Sequence, residues 1–138
     1  MEAMEQYTDA VEGIEETPIR VKGMFRVVIA EDGKFVGDSG YRPNIITNEG
    51  FRNFIVRTMG AQGGSATVSH VTLGSGGLAN ATDTALPSEI VGANKRAAVT
   101  AATSATSKAM QFTATFDSAN SFVGSTYNIS NIGLVNSV

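Results

Sequence analysis

The chain contains no cysteine, so disulfides and thiolate metal sites are excluded and stability has to come from packing or assembly. Tryptophan is absent and tyrosine occurs three times, which leaves few rings to stack on sugars. Histidine occurs once, as His70. A metal there would need carboxylates to complete its shell, and none stands at a nearby ligand spacing. No apolar run approaches the ~20 residues of a membrane span. Charged residues make up only 17% of the chain, against a typical value of about 25%. The ten Lys and Arg are scattered, with Lys95-Arg96 the only adjacent pair, and the net charge is −3. A duplex-binding protein usually shows a basic footprint that this chain lacks. The start, Met1 to Glu16, is acidic, unlike a signal peptide or a basic targeting sequence. The expectation is a soluble protein made in a cytoplasm, with no nucleic-acid or membrane partner and no cofactor.

What the chain does have is glycine (15 residues), with Ser, Thr, Asn and Ala interspersed among Val, Ile and Phe. That mixture suggests strands joined by tight turns, and 138 residues suffice for one core. Charge divides the chain unevenly. Residues 1–16 hold six acids and no base, whereas residues 97–138 hold only Lys108 and Asp117. A third so poor in charge fits strands covered on both sides, by a core and by a partner, and fits equally a solvent face of Ser, Thr and Asn.

Within the acidic start, Met4, Tyr7, Val11 and Ile14 are spaced 3, 4 and 3. This is one helical stripe, with acids on the other faces. Gly13 and Pro18 keep any such helix short, and a short isolated helix is marginal in water. The segment either frays or orders on a neighbouring subunit, which makes Met4, Tyr7, Val11, Ile14 and Pro18 the candidate interface residues. The domain plan is an arm over 1–18 and a single domain over 19–138.

Strands are expected at Ile19–Lys22 and Met24–Ala30. Asp32-Gly33 then marks a hairpin returning through Lys34–Gly37, and 38–44 reads as a loop. A helix follows, with Asn48 as its cap, Phe51, Phe54, Ile55, Thr58 and Met59 on one face, and Gly60 as its end. Ile45-Ile46 and Ala66–Leu73 read as buried strands, with Ser69 and Thr72 breaking the alternation. After the Gly74-Ser-Gly-Gly turn, residues 83–90 read as a turn with one helical turn that points Leu86 and Ile90 inward. Further strands are expected at Arg96–Thr103, at Met110–Phe116, where alternation is strict, and at Ser125–Val135 with an irregularity at Asn131. The architecture predicted is mainly β: an antiparallel β-sandwich or jelly-roll-like domain with one short α-helix and an extended N-terminal arm.

Residues that could carry chemistry read as structural. A lone strand histidine is ordinarily a packing or hydrogen-bonding group. There is no Gly-x-Ser-x-Gly elbow, and Gly74-Ser-Gly-Gly lacks the lysine and spacing of a phosphate loop. Asp83 and Glu89 lack the alternating acids of a calcium loop. Asp83 is expected to cap the turn that follows it, and Glu89 to pair with Lys95 or Arg96. Asp32, Asp38 and Asp117 occupy turn positions. No catalytic residue is assigned, and the expectation is a protein without enzymatic activity.

Four stretches in order carry a resemblance: Asn44-Ile-Ile-Thr-Asn-Glu-Gly50, His70-Val-Thr-Leu-Gly-Ser-Gly76, Thr82-Asp-Thr-Ala-Leu-Pro-Ser-Glu-Ile90 and Asn128-Ile-Ser-Asn-Ile-Gly-Leu134. Together they resemble small virion proteins of tailed bacteriophages, including capsid decoration (cement) proteins and some tail or fibre components. The resemblance covers roughly residues 44 to 138. Related segments often place Glu where Asn131 stands, so a pairing of that position with the basic residue of the middle strand would be missing. The resemblance implies a β-sandwich that forms a homotrimer on the outside of the capsid. Its partners would be the major capsid protein, or another virion protein, and other copies of itself. A tail, baseplate or fibre-associated structural protein is the alternative, and a carbohydrate-binding β-sandwich is the weaker third.

Overall fold

The structure is a computed structural model that describes residues 20–64, 66–103, 106–120, 122 and 127–136. The chain divides into two compact units, residues 1–43 and 44–138. The first contains four short strands: β1 (Gly23–Phe25), β2 (Val28–Glu31), β3 (Lys34–Asp38) and β4 (Arg42–Asn44), the last running to the boundary. They pair as two separate two-stranded sheets, β1 with β4 and β2 with β3. The β2–β3 hairpin turns at Asp32 and Gly33, with φ of 48° and 75°. Two successive left-handed residues are what the twist of a two-residue hairpin requires, and Asp-Gly supplies them. Opposite pairs run Val28–Asp38, Ile29–Gly37, Ala30–Phe35 and Glu31–Lys34, so Val36 is an extra residue that bulges β3.

The expected strand Met24–Ala30 is interrupted at Arg26 and Val27. There the backbone pairs instead with Ser39: Ser39 N donates to the Val27 carbonyl at 2.9 Å, and Val27 N donates to Ser39 Oγ at 2.8 Å. Residues 20–22 belong to no strand, and Arg42–Asn44, expected as loop, is β4. Pro43 is tolerated in it because both strands of a two-stranded sheet are edges. Ile45-Ile46 lies outside any strand, directly after β4.

In the second unit a helix, α1, covers 48–59 in three consecutive stretches: Asn48–Gly50, a π-helical Phe51–Val56, and Arg57–Met59. Its N-cap is Thr47 rather than Asn48: Thr47 is extended (φ −68°, ψ 158°) and its Oγ1 accepts from Gly50 N at 3.0 Å. The wider π turn rotates later residues off the expected face. Phe54 and Ile55 are half-buried, whereas Met59 is exposed. At the far end the left-handed residue is Ala61 (φ 49°), not Gly60.

The remaining strands are β5 (His70–Gly74), β6 (Ala97–Ala98), β7 (Thr100–Ala102), β8 (Gln111–Thr113) and β9 (Asn131–Val135). β5 is central in an antiparallel three-stranded sheet, between β6 and β9. β7 and β8 form an antiparallel pair through Thr100–Thr113, Ala101–Phe112 and Ala102–Gln111. Of the alternation read over Met110–Phe116, residues 111–116 follow it, with Phe112, Ala114 and Phe116 half-buried and Gln111, Thr113 and Thr115 exposed, whereas Met110 is exposed and the strand itself is confined to Gln111–Thr113. Val71, Thr72 and Ala97 form the buried centre. Leu86 reaches this centre from the segment after the glycine turn, where the absence of side chains at Gly74 and Gly133 makes room for it. Residues 82–90 form turns without a helical turn, and Glu89 bridges to Gly74. The fold is thus mainly β, in small antiparallel sheets with one short helix. Among the described residues no helix is long and apolar enough to cross a membrane.

Candidate functional site

The polar centre of the second unit is built around Thr72, whose side chain is fully buried. A hydroxyl so placed needs a partner, and Thr72 Oγ1 donates to Glu89 Oε1 at 2.6 Å. Arg96, which directly precedes β6, grips the same carboxylate with both prongs, Nε to Oε1 at 2.6 Å and Nη2 to Oε2 at 2.9 Å. Of the two partners expected for Glu89, Arg96 is the one found. The Arg96 hydrogen bonds, with Thr72 adding to them, hold the Glu89 carboxyl below its usual range against the opposing effect of burial. The same contacts raise Arg96. A carboxylate held by three donors is a clamp between β5, the 82–90 segment and β6, and it has little basicity left for proton transfer.

Lys95, next to this clamp, is buried. Its ammonium lies 4.3 Å from the Phe122 ring centre and 4.7 Å from that of Tyr127, and it donates to the Asn120 carbonyl at 3.1 Å. Phe122 also meets Phe116 and Tyr127 edge-on. The cation is therefore engaged by ring faces. An open groove of about 220 Å³ lies along the loop that joins Glu89 to Arg96, and both end residues are committed to each other. His70 Nδ1 is 2.8 Å from the Ser69 hydroxyl. Among the described residues no three His, Asp or Glu side chains are grouped to hold a metal ion.

Asn131, at the start of β9, ties the glycine turn down. Its Nδ2 donates to the Gly77 and Pro87 carbonyls at 3.1 and 3.0 Å, while its buried Oδ1 has no partner. Arg96, just before β6, already has a carboxylate in Glu89, so nothing at position 131 is required to neutralise it. Asp83 caps backward, accepting from Asn80 N at 2.7 Å, and not forward as expected. Asp117 accepts from Ala119 N at 2.8 Å, as a turn acid does.

The other candidate surface is the hairpin of the first unit. No residue of 20–43 is buried. Met24, Val28, Ile29, Val36 and Tyr41 are all exposed, and Phe35 presents 83% of its surface. At the open end of the hairpin Arg26 and Asp38 pair through two hydrogen bonds, with Nε to Oδ1 at 2.9 Å. The guanidinium, helped by the Gly40 N–H, holds Asp38 down to about 2, and Arg26 is raised in turn. Arg26 also lies over the Tyr41 ring, 5.6 Å from its centre.

No family model, no curated protein and no solved structure matches this chain. The site has to be judged on its own geometry. Of the interface residues predicted from sequence, Met4, Tyr7, Val11, Ile14 and Pro18 all lie outside the described residues. Sequence reasoning missed the hairpin as a surface because alternating apolar residues look the same whether a sheet covers them or not. The one available signal was the Val-Val-Ile run before Ala30, apolar at consecutive positions and hence on both faces.

Proposed function

We propose that the chain is a non-enzymatic virion structural protein, a capsid decoration protein of a tailed bacteriophage that binds the outside of the major capsid lattice and stabilises the head. The observation that carries this reading is the hairpin. Two strands with apolar side chains exposed on both faces, and not buried by any of the described residues, are marginal in water, and exposed apolar surface of this kind marks a protein contact. The second unit supports it differently. Its Glu89, Arg96 and Lys95 side chains are used to hold strands and loops together, which suits a rigid body presenting a shape.

The small antiparallel sheets of 44–138 are read as parts of an antiparallel β-sandwich of the jelly-roll type, the architecture that the four sequence stretches imply. A ligand that binds an assembled lattice better than free subunits stabilises the lattice by mass action. Joining three copies as a homotrimer multiplies modest contacts by avidity.

The test is co-sedimentation of the purified chain with phage heads that lack it, with copies per head counted. Attachment in many copies spread over the head, together with a higher temperature of head disruption, is the expected result. A few copies confined to the tail would replace the capsid assignment with the tail one. Absence of attachment to either would remove the virion reading.

A further inference from the structure

How a partner holds the β2–β3 hairpin follows from its main chain, and the inference rests on the reading of that hairpin as a docking surface. In an antiparallel pair, opposite residues alternate between exchanging both main-chain hydrogen bonds and exchanging none. Just before β2, Val27 faces inward: its carbonyl accepts from Ser39 N at 2.9 Å and its N–H donates to Ser39 Oγ at 2.8 Å. At the other end the two-residue turn closes on the opposed Glu31 and Lys34. Both ends set the same alternation. Ile29 and Glu31 turn their N–H and C=O groups toward β3, and Val28 and Ala30 turn theirs outward. Among the described residues no strand stands on that side, because β2 pairs with β3 alone, and every residue of β2 is exposed.

The two edges of the hairpin differ. The edge of β3 carries the bulge at Val36, and a bulged edge twists away from further pairing. The edge of β2 has no such protection: Val27-Val-Ile-Ala30 contains no proline and no charge. Apolar side chains flank it above and below. The register puts Ile29 on one face and Val28, Ala30 and Phe35 on the other, and Val28, Ile29 and Phe35 are exposed. The occupant that answers free main-chain groups between two apolar flanks is an extended segment with apolar residues at consecutive positions.

We propose that β2 is a strand-addition site, where an extended, apolar, proline-free segment of the partner protein pairs with the outward N–H and C=O groups of Val28 and Ala30. Two outward residues offer two donors and two acceptors. Such bonds are worth little net in water and association itself is costly, so one edge alone holds weakly. A second copy pairing through its own β2 gains no more bonds than this, which leaves free chains apart in dilute solution. On a lattice, edges joined in one oligomer act together by avidity.

The probe is a blocked Lys-Thr-Val-Ile-Val-Thr-Lys peptide, added at millimolar concentration to the full-length ¹⁵N-labelled protein. Solvent exchange of the Val28 and Ala30 amides should slow severalfold, while that of 70–74 is unchanged. Ala30→Pro removes an outward donor at an edge position where proline is tolerated, and should abolish the slowing at Val28, whereas Ala30→Ser should keep it. The same peptide N-methylated at its three central residues cannot pair and should protect nothing in the wild-type protein, a comparison that needs no variant to fold. No protection at Val28 and Ala30, or equal protection by the N-methylated peptide, would overturn the proposal. So would protection without peptide that grows with protein concentration, because the occupant would then be a second copy. Phage heads form a separate arm, to which Ala30→Pro should attach at least about tenfold more weakly than wild type. Equal attachment overturns β2 as the means of attachment. A peptide that adds to β2 in a protein that ignores phage heads upholds the strand-addition site and removes the virion reading.

Discussion

Gly76 and Gly77 are neighbours in sequence and respond oppositely to an added methyl group. A Cβ at Gly76 would collide with the Pro87 carbonyl oxygen and lie 2.7 Å from its carbon, whereas one at Gly77 meets nothing within 4 Å. Gly76→Ala is expected to cost about 1–3 kcal/mol, as forced overpacking does, and Gly77→Ala to stay within about 0.5 kcal/mol. Thermal unfolding of the two variants checks both. The close approach at Gly76 holds the 82–90 segment against the end of β5, which in turn places Glu89 over Thr72. Glu89→Gln removes the carboxylate charge that Arg96 and Thr72 hold and is expected to destabilise the second unit by about 1–3 kcal/mol, less than breaking a fully buried pair would. The pH dependence follows from the direction of the shift. A carboxyl held below its unfolded value adds stability above that value, near 4.3, and loses it as pH falls toward the folded value. Wild type should therefore lose stability below about pH 4 more steeply than Glu89→Gln, as measured by denaturant midpoints at stepped pH.

At the scale of elements, the hairpin depends on its turn. Gly33 sits at φ +75° in open space, so Gly33→Val strains the backbone without creating a clash. Cross-strand contacts between Val28 and Asp38 should weaken in its NMR spectra, while β5–β9 contacts remain. This hairpin was legible from Asp32-Gly33 alone, because a two-residue turn with both φ positive accepts few residues. The strand at 111–113 was legible from strict alternation, and the pairing of Glu89 with a basic neighbour from their nearness in sequence. Other features were not legible, for local reasons. Thr47 and Asn48 are both good capping residues, and only the backbone angle at Thr47 decides between them. The π turn in α1 has no sequence signature of its own. The strand at Arg42–Asn44 was hidden by Pro43, which sequence rules assign to loops. Thr72 broke the apolar pattern of its strand because its partner is seventeen residues away in the chain.

At the scale of the whole molecule, the two units carry different parts of the account. The second is held by a buried centre and by the clamp of Thr72, Glu89 and Arg96, while the first exposes what a folded domain ordinarily hides. Removing residues 1–17 should leave the thermal transition of the second unit in place and weaken attachment to heads, read as a lower bound fraction in co-sedimentation. The central claim is that the protein works through the apolar face of its hairpin, and Phe35→Asp tests it most directly. Phe35 is almost wholly exposed, so its replacement should leave unfolding of the 44–138 unit unchanged. Titrated against phage heads, Phe35→Asp should bind at least about tenfold more weakly than wild type, the loss of one interface anchor. Binding to heads as tight as that of wild type would contradict the account.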